Sequence, residues 1–95
     1  VEDVDFCKRA KKIGYQTYFT PEVSLIHLSH GSSSRSFAIE NIYKGLLYYS
    51  KKHGNIFSYN LVKLALRLKA VLLVIAGKIF NNSYLADAYG RALRV

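Results

Sequence analysis

The sequence predicts a chain of two parts, a mixed α/β segment over residues 1–36 and a helical, basic region over 37–95. Three observations predict it. Apolar residues recur at helical spacing between Asp3 and Ile13, as on one face of an amphipathic helix. Two short runs that follow, Tyr15–Phe19 and Val23–Leu28, are rich in aromatic and β-branched residues and are bounded by Gly14, Thr20-Pro21 and Ser29, which is how strands read. From Phe37 onward the helical period returns and strand-like runs cease.

In the first helix Phe6, Ala10 and Ile13 form the apolar face, with Lys8, Arg9, Lys11 and Lys12 around the rest and Gly14 beyond. Carboxylates occupy the first turn and cations the last, the placement that the helix dipole favours. After the two predicted strands, Ser29-His30-Gly31-Ser32-Ser33-Ser34 reads as a polar loop. A second helix is expected over Phe37–His53, carrying a Glu40–Lys44 pair at i,i+4 and ended by Gly54. Ser58–Phe80 reads as a long helix, Asn81-Asn82-Ser83 as its break, and Tyr84–Arg94 as a last short helix with an Asp87–Arg91 pair.

Ninety-five residues suffice for one small domain but not for a full two-substrate active site. The chain has no methionine and begins at Val1, so the expectation is the C-terminal piece of a longer protein or a processed product. The formal charge is +8 at pH 7, and three of the carboxylates (Glu2, Asp3, Asp5) fall within the first five residues, leaving the remainder strongly basic. Such a balance points to an anionic partner: nucleic acid, an anionic bilayer surface or a phosphorylated small molecule. No nucleic-acid reader motif is present and the cations are spread over several helices, which counts against nucleic acid. The single Cys7 can form no internal disulfide, and no thiol pair has metal-ligand spacing.

A membrane span needs about 20 predominantly apolar residues, and the long helix falls short of that. Its uninterrupted apolar run is only Ala70–Gly77, and Lys63, Arg67, Lys69 and Lys78 are interspersed. A span is therefore not expected. An interfacial helix fits, with leucines at the acyl boundary and Lys63, Arg67 and Lys69 at anionic head groups; so does a helix packed on its own protein.

Individually the candidate chemical residues are weak. An acidic cluster at a helix start is usually capping, and Asp3-Val4-Asp5 is a literal D-x-D of the kind that arises by chance. His27 ends a mostly apolar run, where a lone histidine is more often structural than a ligand. His30 precedes Gly31 in a loop, and His53 precedes the helix-ending Gly54.

The order of these motifs is more specific than any one of them. Glu2-Asp3-Val4-Asp5-Phe6-Cys7-Lys8-Arg9-Ala10, then Gly14-Tyr15, Pro21-Glu22, Ile26-His27 and Gly31-Ser32-Ser33 resemble the closing segment of a family 2 glycosyltransferase catalytic domain, in its rhamnosyltransferase-like branch. The resemblance is densest over residues 1–35 and continues loosely through Lys51-Lys52-His53-Gly54. It implies a GT-A, Rossmann-like α/β fold, a nucleotide-diphosphate sugar donor, a Mg²⁺ or Mn²⁺ cofactor and inversion at the anomeric carbon. By the same resemblance Asp3 is the general base, Glu2 holds the acceptor or orients the base, and His27 is a metal ligand. Gly31, Ser32 and Ser33 would form the diphosphate loop, here with one glycine fewer than the family pattern. An imidazole ligand would tilt the metal towards Mn²⁺. The nucleotide-binding half and the family's main D-x-D would lie upstream, so the chain alone is expected to be inactive.

Three readings are thus open. The first is part of an inverting sugar transferase at the cytoplasmic face of the plasma membrane, acting on a glycan or lipid-linked acceptor in surface polysaccharide synthesis. The second is a non-catalytic, membrane-surface or partner-binding helical module. The third, a nucleic-acid-binding domain, is favoured by charge alone.

Overall fold

The computed structural model of the chain describes residues 1–26 and 34–95, which form four helices. These are α1 (Glu2–Lys12), α2 (Arg35–His53), α3 (Ile56–Ile79) and α4 (Ser83–Ala92). Among the described residues there is no strand and no sheet, so the Rossmann-like α/β expectation is overturned in favour of an all-helical chain. Tyr15–Phe19 and Val23–Ile26 carry strand-like side chains but form no ladder with any other described residue. A strand is held by ladder hydrogen bonds to a neighbour, and β propensity is largely a measure of packing against one. Without it the side chains stay in solvent: Phe19 is 89% and Ile26 90% exposed.

Local sequence sets each helix end. α1 stops in a Schellman arrangement, with Tyr15 N–H donating to the Ala10 carbonyl at 3.0 Å and Gly14 N–H to that of Lys11 at 3.2 Å. Gly14 supplies the left-handed turn, with φ +95°. α2 begins two residues before its apolar pattern because the Ser34 hydroxyl accepts the Phe37 N–H. α3 begins at a reciprocal capping box between Asn55 and Ser58. Its far end repeats the Schellman pattern, with Asn82 N–H on the Gly77 carbonyl at 2.7 Å and Asn81 taking the left-handed position at φ 52°. The Asn82 side chain then caps α4 through Leu85 N–H.

The helices α2, α3 and α4 pack on one another. Their shared core is small: Tyr43, Ala70 and Ala92 are buried, with Ile39, Leu66 and Tyr89 against them. Tyr43 and Tyr89 meet edge to face, with ring centroids 6.3 Å apart. Close approach depends on small residues, Ala88 and Ala70 being fully buried and Gly77 lying against the first turn of α4. The chain exposes 7828 Å², where a compact monomer of 10.8 kDa would expose about 5,500 Å². A large share of its apolar surface therefore remains unburied.

Candidate functional site

The N-terminal helix α1 lies against the C-terminal half of α2, and one carboxylate fastens it there. Asp5 Oδ2 accepts from Lys52 Nζ at 2.8 Å and from Arg9 Nε at 3.0 Å, while Asp5 Oδ1 lies 2.5 Å from His53 Nε2. Arg9 is one turn along α1; Lys52 and His53 arrive from the last turn of α2. Lys52 first, then His53 and Arg9, hold the Asp5 carboxyl well below the usual carboxylate range, against an opposing contribution from desolvation. The His53 side chain is only 4% exposed, and its ring meets that of Tyr49 at 4.8 Å between centroids. Lys8 Nζ lies 5.1 Å from the centre of the same Tyr49 ring. His53 Nδ1 is buried without a hydrogen-bond partner among the described residues.

Beside this anchor, α1 and α2 enclose an open cleft of about 690 Å³. Glu2, Asp5 and Arg9 line it from α1, and Asn41, Lys44 and Tyr48 are among its walls on α2. Carboxylates, an amide, cations and phenolic rings in one cleft are groups that hydrogen-bond sugar hydroxyls and stack on sugar faces. At Gly45, which also lines the cleft, an added Cβ would come within 3.0 Å of the Val1 side chain, so the residue that precedes α1 approaches α2 closely there.

The three first-turn carboxylates therefore differ. The Glu2 side chain is 96% exposed and borders the cleft. The Asp3 side chain is 84% exposed and outside the cleft wall, and its Oδ1 accepts the neighbouring Val4 N–H at 3.0 Å. Asp5 is fully engaged. Spacing alone separated none of these roles. Arg9, at i+4 from Asp5, was legible as a helical pair, but Lys52 and His53 lie 47 and 48 residues away. Their only signal in the sequence was that Lys51-Lys52-His53-Gly54 belongs to the same resemblance as the acidic opening.

His27, Gly31, Ser32 and Ser33 lie outside the described residues. Among the described residues no three His, Cys, Asp or Glu side chains converge as a metal-binding group. No helix among the described residues is long and apolar enough to cross a membrane. On α3, Arg67 and Lys69 are exposed, whereas Lys63 is half-buried with its Nζ 5.8 Å from the Tyr59 ring centre.

No family model, curated protein or solved structure matches this chain.

Proposed function

We propose that this chain supplies the acceptor side of an inverting sugar transferase, one that moves a sugar from a nucleotide diphosphate to a hydroxyl of a glycan or lipid-linked acceptor. The observation that carries the reading is the division of labour among the carboxylates of α1. A general base must have a free lone pair and reach the hydroxyl at about 2.6–3.2 Å. Asp5 has neither quality, because Lys52, His53 and Arg9 occupy its oxygens and reduce its basicity. Asp3 stands two residues away on the same rigid turn, exposed and bonded only locally. Asp5 positions the helix; Asp3 takes the proton.

In the transfer step, the acceptor oxygen attacks the anomeric carbon from the face opposite the leaving group. Its proton passes to the Asp3 carboxylate as the new C–O bond forms, and the bond from the anomeric carbon to the diphosphate breaks with its electrons leaving on oxygen. Glu2, exposed beside Asp3 on the same turn, would hold another of the acceptor's hydroxyls. A divalent cation, as the resemblance implies, would neutralise the departing diphosphate.

The test is transfer from a panel of nucleotide-diphosphate sugars by the full-length protein containing this segment. Asp3→Asn is expected to lower turnover by about 10²–10⁴-fold with little change in KM for the donor, and Asp3→Glu to recover part of it. Full turnover by Asp3→Asn would remove the base from this residue, and absence of transfer with any donor would overturn the transferase reading.

A further inference from the structure

We infer that α3 is a membrane-docking helix whose outward apolar stripe lies on an anionic lipid surface, an inference that stands independently of the sugar-transfer reading. The stripe follows from helix geometry. At about 100° per residue, Leu61, Leu64, Leu68, Leu72, Ile75 and Ile79 all fall within about 40° of the direction of Leu68. They are 49–72% exposed and run for about 27 Å along the axis, at about 1.5 Å per residue. The opposite side of the same helix, at Leu66, Ala70 and Gly77, is the side packed on α2 and α4. α3 is thus apolar on two faces, only one of which the chain itself covers.

Charge identifies what fits the other face. Arg67 and Lys78 lie about 100° and 80° to one side of Leu68, and Lys69 about 100° to the other. All three are exposed, so each edge of the stripe carries a cation on a long apolar stem that can keep its charge at head-group level while the leucines enter the acyl boundary. Lys63, about 140° from Leu68, lies too near the packed side to take part. α3 has no acidic residue, and the chain carries a formal charge of +8. A second copy seated on the stripe would bring these cations against their own kind, whereas anionic lipid neutralises them. The helix lies along the surface rather than through it, since it is not apolar enough to span.

The test is cosedimentation of the chain with vesicles of equal parts phosphatidylglycerol and phosphatidylcholine, against vesicles of phosphatidylcholine alone. Binding is expected to the first and to be at least about tenfold weaker to the second, each basic residue near an anionic surface being worth about fivefold. Replacing Arg67, Lys69 and Lys78 together by Gln should cost about 100-fold on the same reckoning. Leu64→Ser with Leu68→Ser should cost at least about tenfold, since the buried apolar area supplies the rest. All of these side chains are exposed, so the far-UV circular dichroism should stay unchanged. The chain has no tryptophan, so Leu68→Trp provides a reporter that needs no loss of binding: its fluorescence should be quenched by brominated lipid when vesicles are added. The inference is overturned if the chain fails to bind anionic vesicles, if it binds with the Leu68→Trp reporter unquenched, or if sedimentation equilibrium shows a dimer that the serine pair abolishes in the absence of vesicle binding.

Discussion

Replacing Gly77 by alanine should destabilise the protein, while the same replacement at Gly90 should stabilise it, although both glycines lie inside helices. In a helix interior alanine is better than glycine by about 0.8–1.0 kcal/mol. At Gly90 nothing stands within 4 Å of an added Cβ, so most of that gain should be realised. At Gly77 the Cβ would lie 2.7 Å from the Ala86 nitrogen, 3.0 Å from the Asn82 oxygen and 3.0 Å from the Leu85 Cβ. The first two atoms are the donor and acceptor of the first backbone hydrogen bond of α4, so no side-chain rotation relieves the contact and α4 must move off α3. Overpacking of this kind costs about 1–3 kcal/mol; with backbone on two sides the upper part of that range applies, and the net effect is about 1–2 kcal/mol of destabilisation. For a domain of this size each kcal/mol moves Tm by about 4–8 °C. Thermal and urea unfolding followed by circular dichroism would give the two variants shifts of opposite sign. If Gly77→Ala raised Tm as Gly90→Ala does, the close α3–α4 packing described here would be wrong.

Two further predictions concern polar groups at the helix contacts. The Asp5 carboxyl is held below its usual range, so the anchoring of α1 is in full force above the unfolded value of about 4 and is lost as pH falls towards the folded one. Amide exchange should show α1 losing protection on acidification, and Asp5→Asn should produce the same loss at neutral pH with α3 and α4 unaffected; unchanged α1 protection in the variant would refute the anchor. The Tyr43 hydroxyl is buried with no hydrogen-bond partner among the described residues, and burial pushes its phenol above the ordinary value. Tyr43→Phe keeps the edge-to-face contact with Tyr89 and removes the unsatisfied group, so stability should rise by about 1 kcal/mol, and a loss of that size would show that the hydroxyl has a partner in solution.

The helices were legible where their determinants are local. The period of Phe6, Ala10 and Ile13, the Gly14 stop and the Glu40–Lys44 pair, here 2.6 Å between Nζ and Oε1, all act within a few residues. Helix starts were less so, because Ser34 and Asn55 lie outside the apolar pattern and act through capping hydrogen bonds to Phe37 and Ser58. Strands are another matter. A run such as Tyr15-Gln16-Thr17-Tyr18-Phe19 expresses a preference for a pleated, half-buried surface, and that preference is realised only if a second strand is present to donate and accept. Here 15–20 takes no regular structure and forms no ladder among the described residues, with Tyr18 81% exposed. Propensity stated what the segment could do; the partner that decides the matter is not a property of the segment.

The site shows the same limit more sharply. Glu2, Asp3 and Asp5 are alike in type, occupy one helical turn and are equally suited to the helix dipole. What separates them is contact with α2: Lys52 and His53 reach Asp5, whereas the side chains of Glu2 and Asp3 stay 96% and 84% exposed, and of these two only Glu2 borders the cleft. Side chains at positions 2 and 5 share a face of the helix, as i,i+3 neighbours do, and position 3 is turned about 100° from position 2. Docking α1 on α2 through Asp5 therefore leaves the Glu2 and Asp3 carboxylates free of α2. The sequence period places position 3 off the face shared by 2 and 5; only the position of α2 determines which carboxylate is engaged. If Asp5→Asn loosens α1, the orientation of Asp3 loosens with it, so this variant should lower transfer in part and lose α1 amide protection, whereas Asp3→Asn should lower transfer by about 10²–10⁴-fold with α1 still protected.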